Sequence, residues 1–273
     1  HRIYHLHGLR LATARGLTRR VLRVCEQLSS GLAHATIAVS QSLADDARKE
    51  GALITSHLVV TNSSQGVDAA GRFVPSADRS RGVALRATHG IPADALVMGF
   101  IGRFSRDKGM HELARAWKTV SEREPRAWLL MVGDRDESDP ADLSSLEGAA
   151  RVSFIGFVRD TLPAYECIDV LAFPTYREGF PNVLLEAAAM QVPVVSSNAV
   201  GCVDAVVPGV TGLLVPVHDA AALTKGILSL FADPERAAEM GRAARRRVLE
   251  DFVPSQIEAR IAALYDELLS ADA

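Results

Sequence analysis

From Ala95 onward the chain alternates short apolar runs with segments of helical spacing, and few folds accept that order. The runs are Leu96–Gly102, Trp128–Gly133, Val152–Gly156, Asp169–Pro174, Pro193–Ser197 and Gly212–Pro216. Between them the clearest helical stretch is 109–122, where Leu113, Ala116, Trp117 and Val120 share one face. Strands that are apolar at nearly every position are buried on both faces. Alternation with helices therefore predicts a doubly wound parallel sheet over 95–232.

The first 75 residues carry the same rhythm in shorter form. Strand-like runs at 2–8, 35–40 and 57–62 are separated by expected helices near 17–33 and 41–50. Leu17, Val21, Val24, Leu28 and Leu32 form one face of the first helix. Three strands are few for an independent parallel sheet, so this unit reads as partial. Residues 74–82 have the Pro, Ser and Gly content of a linker, and two helices are expected near 234–250 and 254–270. The expected division is 1–80, 81–250 and a C-terminal helix in 251–273.

Hydrophobic residues make up 48% and charged residues 23% of the 273, the balance of a globular chain. The net charge of −3 argues against a general nucleic-acid binder. Cys25, Cys167 and Cys202 are far apart, which suits reduced thiols rather than a disulfide framework or a zinc site. No run is long enough to span a membrane, and the expected location is cytoplasmic. Residues 10–23 contain five arginines and no acid; as an amphipathic helix they fit a solvated face, a face covered by a further part of a longer chain, or an anionic membrane surface.

In open parallel sheets ligands bind beyond the carboxyl ends of the strands, and three loops there carry suitable residues. The first, 101–109, places Arg103, Arg106 and Lys108 ahead of a helix, an arrangement for an anionic phosphate or for an ordinary solvated loop. The second, 174–195, holds Glu178 and Glu186 eight positions apart around a Gly-Phe-Pro turn. Pro181 fits the first helical turn, and the N–H groups of Asn182, Val183 and Leu184 would be open to an anion. Helical side chains lean toward the N-terminus, so Glu186 can point back to the same cleft. There it would meet sugar hydroxyls; a buried cationic partner explains it equally well. The third, 198–216, has Gly201, Gly209 and Gly212 at tight turns, and its Asp204 reads best as a cap of the short helix that follows. Paired carboxylates also serve glycoside hydrolases, which flank a scissile bond with them.

The motifs GRFSRDKG, EGFPNVLLEA and GVTGLLVP, in this order, resemble the C-terminal half of retaining glycosyltransferases of family 4. ATIAVSQSL and SSQGVD resemble the end of that family's N-terminal domain. The resemblance implies an α/β fold of the GT-B type, with a complete C-terminal domain and a partial N-terminal one. It also implies a nucleotide-sugar donor, here a UDP-sugar first, and a sugar or lipid-linked sugar as acceptor. Bacterial surface polysaccharide synthesis is the implied setting, at the inner face of the membrane or in the cytoplasm. No metal and no separate cofactor are implied, since the nucleotide sugar is a substrate. A non-catalytic nucleotide-sugar-binding module is the alternative.

The resemblance assigns Arg103 and Lys108 to the donor diphosphate, Glu178 to the transferred sugar and Glu186 to the ribose hydroxyls. The backbone of Gly179, Phe180, Asn182, Val183 and Leu184 would meet the donor's phosphates and sugar. Phe157 would line the nucleobase pocket, and His7 would face the sugar from the other domain. The strands and glycine-rich loop that precede such a region in the family are absent, so a fragment of a longer chain is expected. Asp204 stands where many members carry Glu, and the Val67–Phe73 stretch is one residue longer than usual.

Overall fold

The computed structural model describes all residues except 13, 64, 137–140 and 271–273. The expected apolar runs fold into two parallel sheets. The smaller holds β1 (Ile3–Leu6), β2 (Ala35–Ala38) and β3 (Leu58–Val60), in that order, joined by α1 (Gly16–Leu32) and α2 (Gln41–Lys49). The larger holds β4 (Leu96–Ile101), β5 (Ala127–Val132), β6 (Val152–Gly156), β7 (Val170–Phe173), β8 (Val194–Ser197) and β9 (Leu213–Val215). Its strand order is β6-β5-β4-β7-β8-β9.

The helices of the larger lobe are α3 (Ser80–Thr88), α4 (Met110–Arg123), α5 (Ala141–Glu147), α6 (Leu162–Cys167), α7 (Asn182–Ala189), α8 (Cys202–Ala205) and α9 (Ala220–Ala232). Two longer ones follow, α10 (Pro234–Asp251) and α11 (Pro254–Ser270).

Alternate residues of each strand enter opposite cores, which is why the strands read as continuous apolar runs. Val97, Ile101, Leu130, Leu171 and Phe173 face one core together with Leu184 and Leu185 of α7. Met98, Phe100, Leu129, Met131 and Ala172 face the other, with Leu113, Ala116, Trp117 and Val120 of α4 and Leu223 and Ile227 of α9. The sheet is thus doubly wound, as its sequence predicts. The chain runs outward from β4 to β6 and returns to β7, so the order reverses between β4 and β7. The loops following these two strands face each other across a crevice. Gly109 makes their approach possible: its φ is +74°, and a Cβ there would lie 2.0 Å from the carbonyl oxygen of Pro174.

Two expectations change, and two helices pack in ways that spacing alone did not specify. Residues 74–82 are not a free linker, because α3 begins at Ser80 and docks on α6. The carboxylate of Glu166, 2% exposed, accepts from Ser76 Oγ (2.8 Å), Arg81 Nη2 (2.6 Å) and Gly82 N (3.2 Å). The larger core also reaches back before residue 81, since Val67, Ala69 and Phe73 pack in it beside Tyr165 and Phe252. The helix α11 returns to the smaller sheet, where Leu264 and Leu268 cover Ala35 and Ile37. Finally, the apolar face of α1 points away from its sheet: Leu17, Val21, Val24, Leu28 and Leu32 are 51–75% exposed.

Glu166→Ala should therefore unseat α3. Removing a buried acceptor with three donors, one of them charged, is expected to lower unfolding stability by about 3 kcal/mol, measured by denaturant titration.

Candidate active site

The crevice between the β4 and β7 loops is built from local backbone demands. After β4, Ser105–Lys108 turn through a short 3-10 helix, and Gly109 in the left-handed region admits the chain to α4. This places Lys108 toward β7, where its Nζ pairs with Glu178 Oε1 and lies 5.8 Å from the Phe173 ring centre. Both side chains are mostly shielded, at 16% and 14% exposure. Thr175 Oγ1 donates to the same carboxylate oxygen (2.9 Å), and the Glu178 N–H donates to the Val200 carbonyl (3.1 Å). Glu178 is thereby fixed from the β7 loop, the β4 loop and the loop before α8.

Arg103 does not join this cluster. Its side chain is 67% exposed, with Nη1 3.9 Å from Asp136 Oδ2. Lys108 is thus the cation seated at Glu178, and Arg103 stands at the solvent side of the same loop.

The turn Glu178–Pro181 leads into α7. Pro181 is the N-cap rather than the first helical residue, with φ −82° and ψ 106° and no side-chain cap. The expected trio of open N–H groups becomes a pair, because Leu184 N–H returns to the Pro181 carbonyl (3.1 Å). The Leu184 side chain, 2% exposed, belongs to the core. Asn182 and Val183 occupy the first two helical positions, which have no acceptor within a helix. Asn182 Oδ1 is buried without a hydrogen-bond partner among the described residues.

One and a half turns on, Glu186 is held by two hydroxyl groups. The Tyr165 hydroxyl (2.9 Å) and the Thr161 hydroxyl (3.5 Å) both donate to its Oε2. Burial pushes its carboxyl above the ordinary glutamate range, and the Tyr165 hydrogen bond, the charge of Arg72 and the Thr161 hydrogen bond pull in the opposite direction. Sequence spacing left an internal ion pair open for this residue; the structure puts a tyrosine there. Tyr165 is fully buried and its own hydroxyl is held above the usual range, by burial first and by the Glu186 charge next. Its role was hidden in the sequence because a tyrosine in a short apolar helix reads as core.

Phe157 follows β6 at the edge of the sheet and is 67% exposed. Phe180 packs between the two lobes: it touches both cores and its ring lies 5.5 Å from Phe252.

The smaller lobe closes the crevice from the far side. His7 follows β1, is exposed, and stacks on His5 at 5.8 Å. Its carbonyl is pressed to the Glu178–Pro181 turn, since a Cβ on Gly179 would lie 1.8 Å from it. Ser40 Oγ donates to the Gly179 carbonyl (2.7 Å). Asp204 is the third residue of α8 and serves a helix other than its own. Its Oδ1 accepts from Ser42 N–H in the first turn of α2 (3.1 Å), and its Oδ2 accepts from the Ser42 hydroxyl. Ser42 Oγ in turn accepts from Gly201 N–H (2.8 Å). No sequence signal paired positions 162 apart, and this correction replaces the local cap expected of Asp204. Among the described residues, no group of three or more His, Cys, Asp or Glu is placed to hold a metal ion, and no helix is long and apolar enough to cross a membrane.

Comparison with known proteins places this geometry. The family described as glycosyl transferases group 1 matches residues 95–233. The capsular polysaccharide biosynthesis glycosyltransferase CapM of Staphylococcus aureus is 32% identical over 98% of this chain, which spans 70% of CapM. A D-inositol 3-phosphate glycosyltransferase of Salinispora arenicola is 34% identical over 76% of the chain and 49% of its own length. Among solved structures, HepE of Anabaena in complex with UDP and glucose matches with a TM-score of 0.85 and 26% identity, covering 97% of this chain and 71% of that one. Sucrose-phosphate synthase of Thermosynechococcus elongatus matches at 0.82 and 28%, covering 98% and 68%. The chain belongs to the glycosyl transferases group 1 family and has its α/β GT-B fold.

Proposed function

We propose that the chain transfers a glycosyl group from a nucleoside diphosphate sugar to an acceptor hydroxyl with retention of anomeric configuration, as in family 4. The observation that carries this reading is the Lys108–Glu178 pair beside the open end of α7, at the reversal point of the sheet. A UDP-sugar is the first choice of donor, supported by the HepE complexes with UDP and with UDP-glucose. Its likeness to CapM supports a sugar or lipid-linked sugar acceptor and a place in cell-surface polysaccharide synthesis.

In this reading Lys108 meets the donor diphosphate, and Glu178, held by Thr175, takes the sugar hydroxyls. Negative charge grows on the leaving diphosphate as the glycosidic bond breaks. Lys108, the N–H groups of Asn182 and Val183 and the exposed cation Arg103 would stabilise it, with no reorganisation demanded of the backbone. Glu186 accepts from the ribose hydroxyls through Oε1, the oxygen that Tyr165 and Thr161 do not use. Phe157 offers a face for the base, and His7 brings the smaller lobe to the sugar. The diphosphate itself is the base for the acceptor's proton; no protein nucleophile is assigned. A glycoside hydrolase needs two carboxylates across a scissile bond. Here one carboxylate is neutralised by a lysine and the other is held by a tyrosine.

Lys108→Ala is expected to cut kcat with a UDP-sugar by about a hundredfold or more, the effect of losing one preorganised charge partner. Wild-type turnover in a coupled UDP-release assay would remove the diphosphate assignment.

The Glu186 carboxyl holds its proton more tightly than an exposed glutamate, because burial disfavours its charge. UDP affinity should therefore rise with pH as this group ionises above the ordinary value of 4.5, and Glu186→Gln should flatten that rise in calorimetry. Tyr165→Phe removes a hydrogen bond that favours the carboxylate, so it should move the midpoint to higher pH. A midpoint that moved down would contradict the assignment.

A further inference from the structure

A buried acidic side chain that the proposed reaction does not use lies next to the crevice. Glu112, in the first turn of α4, is 5% exposed, and a buried polar group of this kind needs hydrogen-bond partners. Its Oε2 accepts from the Tyr176 hydroxyl (2.5 Å), and its Oε1 faces His218 Nδ1 at 3.6 Å. The Tyr176 and His218 rings lie against each other, with 4.0 Å between their centres. The three residues come from distant parts of the chain: Glu112 follows β4, Tyr176 follows β7 and His218 follows β9.

His218 reaches this place through an unfavourable backbone conformation. Its φ is +64°, in the left-handed region that L side chains rarely adopt. Both neighbours are pinned. Val217 N–H donates to Asn198 Oδ1 (3.2 Å), and Asp219 caps α9 by accepting from Ala222 N–H (2.8 Å). The imidazole is therefore kept against Tyr176 although most of its own surface is open to water.

This cluster runs alongside the Lys108–Glu178 pair. Glu112 is four residues beyond Lys108, and Tyr176 is two residues before Glu178. Between the two links, Tyr176 N–H donates to the Asp107 carbonyl (2.8 Å). The β4 and β7 loops are thus joined by the ion pair, by a backbone bond and by the Tyr176–Glu112 bond. A donor would treat these links differently. A diphosphate competes for Lys108 and loosens the ion pair, whereas the bond between Tyr176 and Glu112 involves neither charge.

We propose that Glu112, Tyr176 and His218 are positioning residues, a brace that keeps Lys108 aimed at the donor diphosphate once it has left Glu178. This rests on the donor reading given above. The test compares UDP, which carries the diphosphate, with uridine, which lacks it.

Tyr176→Phe removes a single oxygen and should weaken UDP by about tenfold in calorimetry, the loss of one buried hydrogen bond, while uridine, measured by ligand-observed NMR, changes by less than about twofold. Glu112→Ala should act in the same direction. Glu112→Gln still accepts from the Tyr176 hydroxyl and should keep UDP affinity within about threefold of wild type. His218→Gly, which relaxes the backbone but removes the imidazole, should weaken UDP by about threefold. Should Glu112→Ala fail to fold, Tyr176→Phe decides the matter. Equal losses of UDP and uridine in Tyr176→Phe, or no loss of either, would overturn the brace and leave the donor reading standing. A wild-type chain that binds UDP no better than uridine would remove both.

Discussion

The site depends on one steric constraint, the missing side chain at Gly179. The turn between Glu178 and Pro181 is wedged against the His7 carbonyl, and a Cβ at Gly179 would overlap that oxygen at 1.8 Å. Gly201 continues the contact from the other side, where a Cβ would lie 2.6 Å from the Gly179 carbonyl. With no side chain in the way, the backbone of the larger lobe meets the backbone of the smaller one directly. The hydrogen bond from Ser40 and the Ser42–Asp204 pair then fix the two lobes in register. Glu178, one residue before the wedge, is consequently held where both lobes converge.

Electrostatics within the crevice follow from that placement. Lys108 and Glu178 are shielded from water, where an unpaired charge costs several kcal/mol, and each supplies the other's partner. An arriving diphosphate would offer Lys108 a stronger anion and leave Glu178 for hydroxyl groups. Glu186 is the contrasting case. It is partly buried, Arg72 acts on it only by its charge, and its hydrogen-bonding partners Tyr165 and Thr161 are neutral, able to stabilise a carboxylate without cancelling its charge. The two glutamates have different environments and, in the proposed reaction, different tasks. In that reaction one would face the sugar and the other the nucleotide.

Much of this was legible in the chain. The six apolar runs after Ala95 dictated a buried parallel sheet, and its strands appear in the expected places with Trp117 and its neighbours facing inward. The two loops that meet at the β4–β7 reversal were visible as a basic stretch and a glutamate pair. What escaped depends on contacts between distant residues. Tyr165 reads as core until a carboxylate is found against its hydroxyl. Asp204 reads as a local cap because its true partner, Ser42, is in another lobe. Leu184 has an N–H that periodicity leaves open, and a tight turn at Pro181 closes it. The outward ridge of α1 was seen as a stripe, but periodicity cannot say which side of a stripe meets the sheet. Here Glu26 and Ser30 decide it through their bonds to Tyr4 and Ile54.

The most direct measurement is a crystal structure of the chain soaked with UDP. The account predicts the diphosphate beside Lys108 Nζ and the N–H groups of Asn182 and Val183, with the ribose hydroxyls on Glu186 and the Lys108–Glu178 pair loosened. UDP seated elsewhere, with Lys108 still closed on Glu178 and the end of α7 bare, would contradict it.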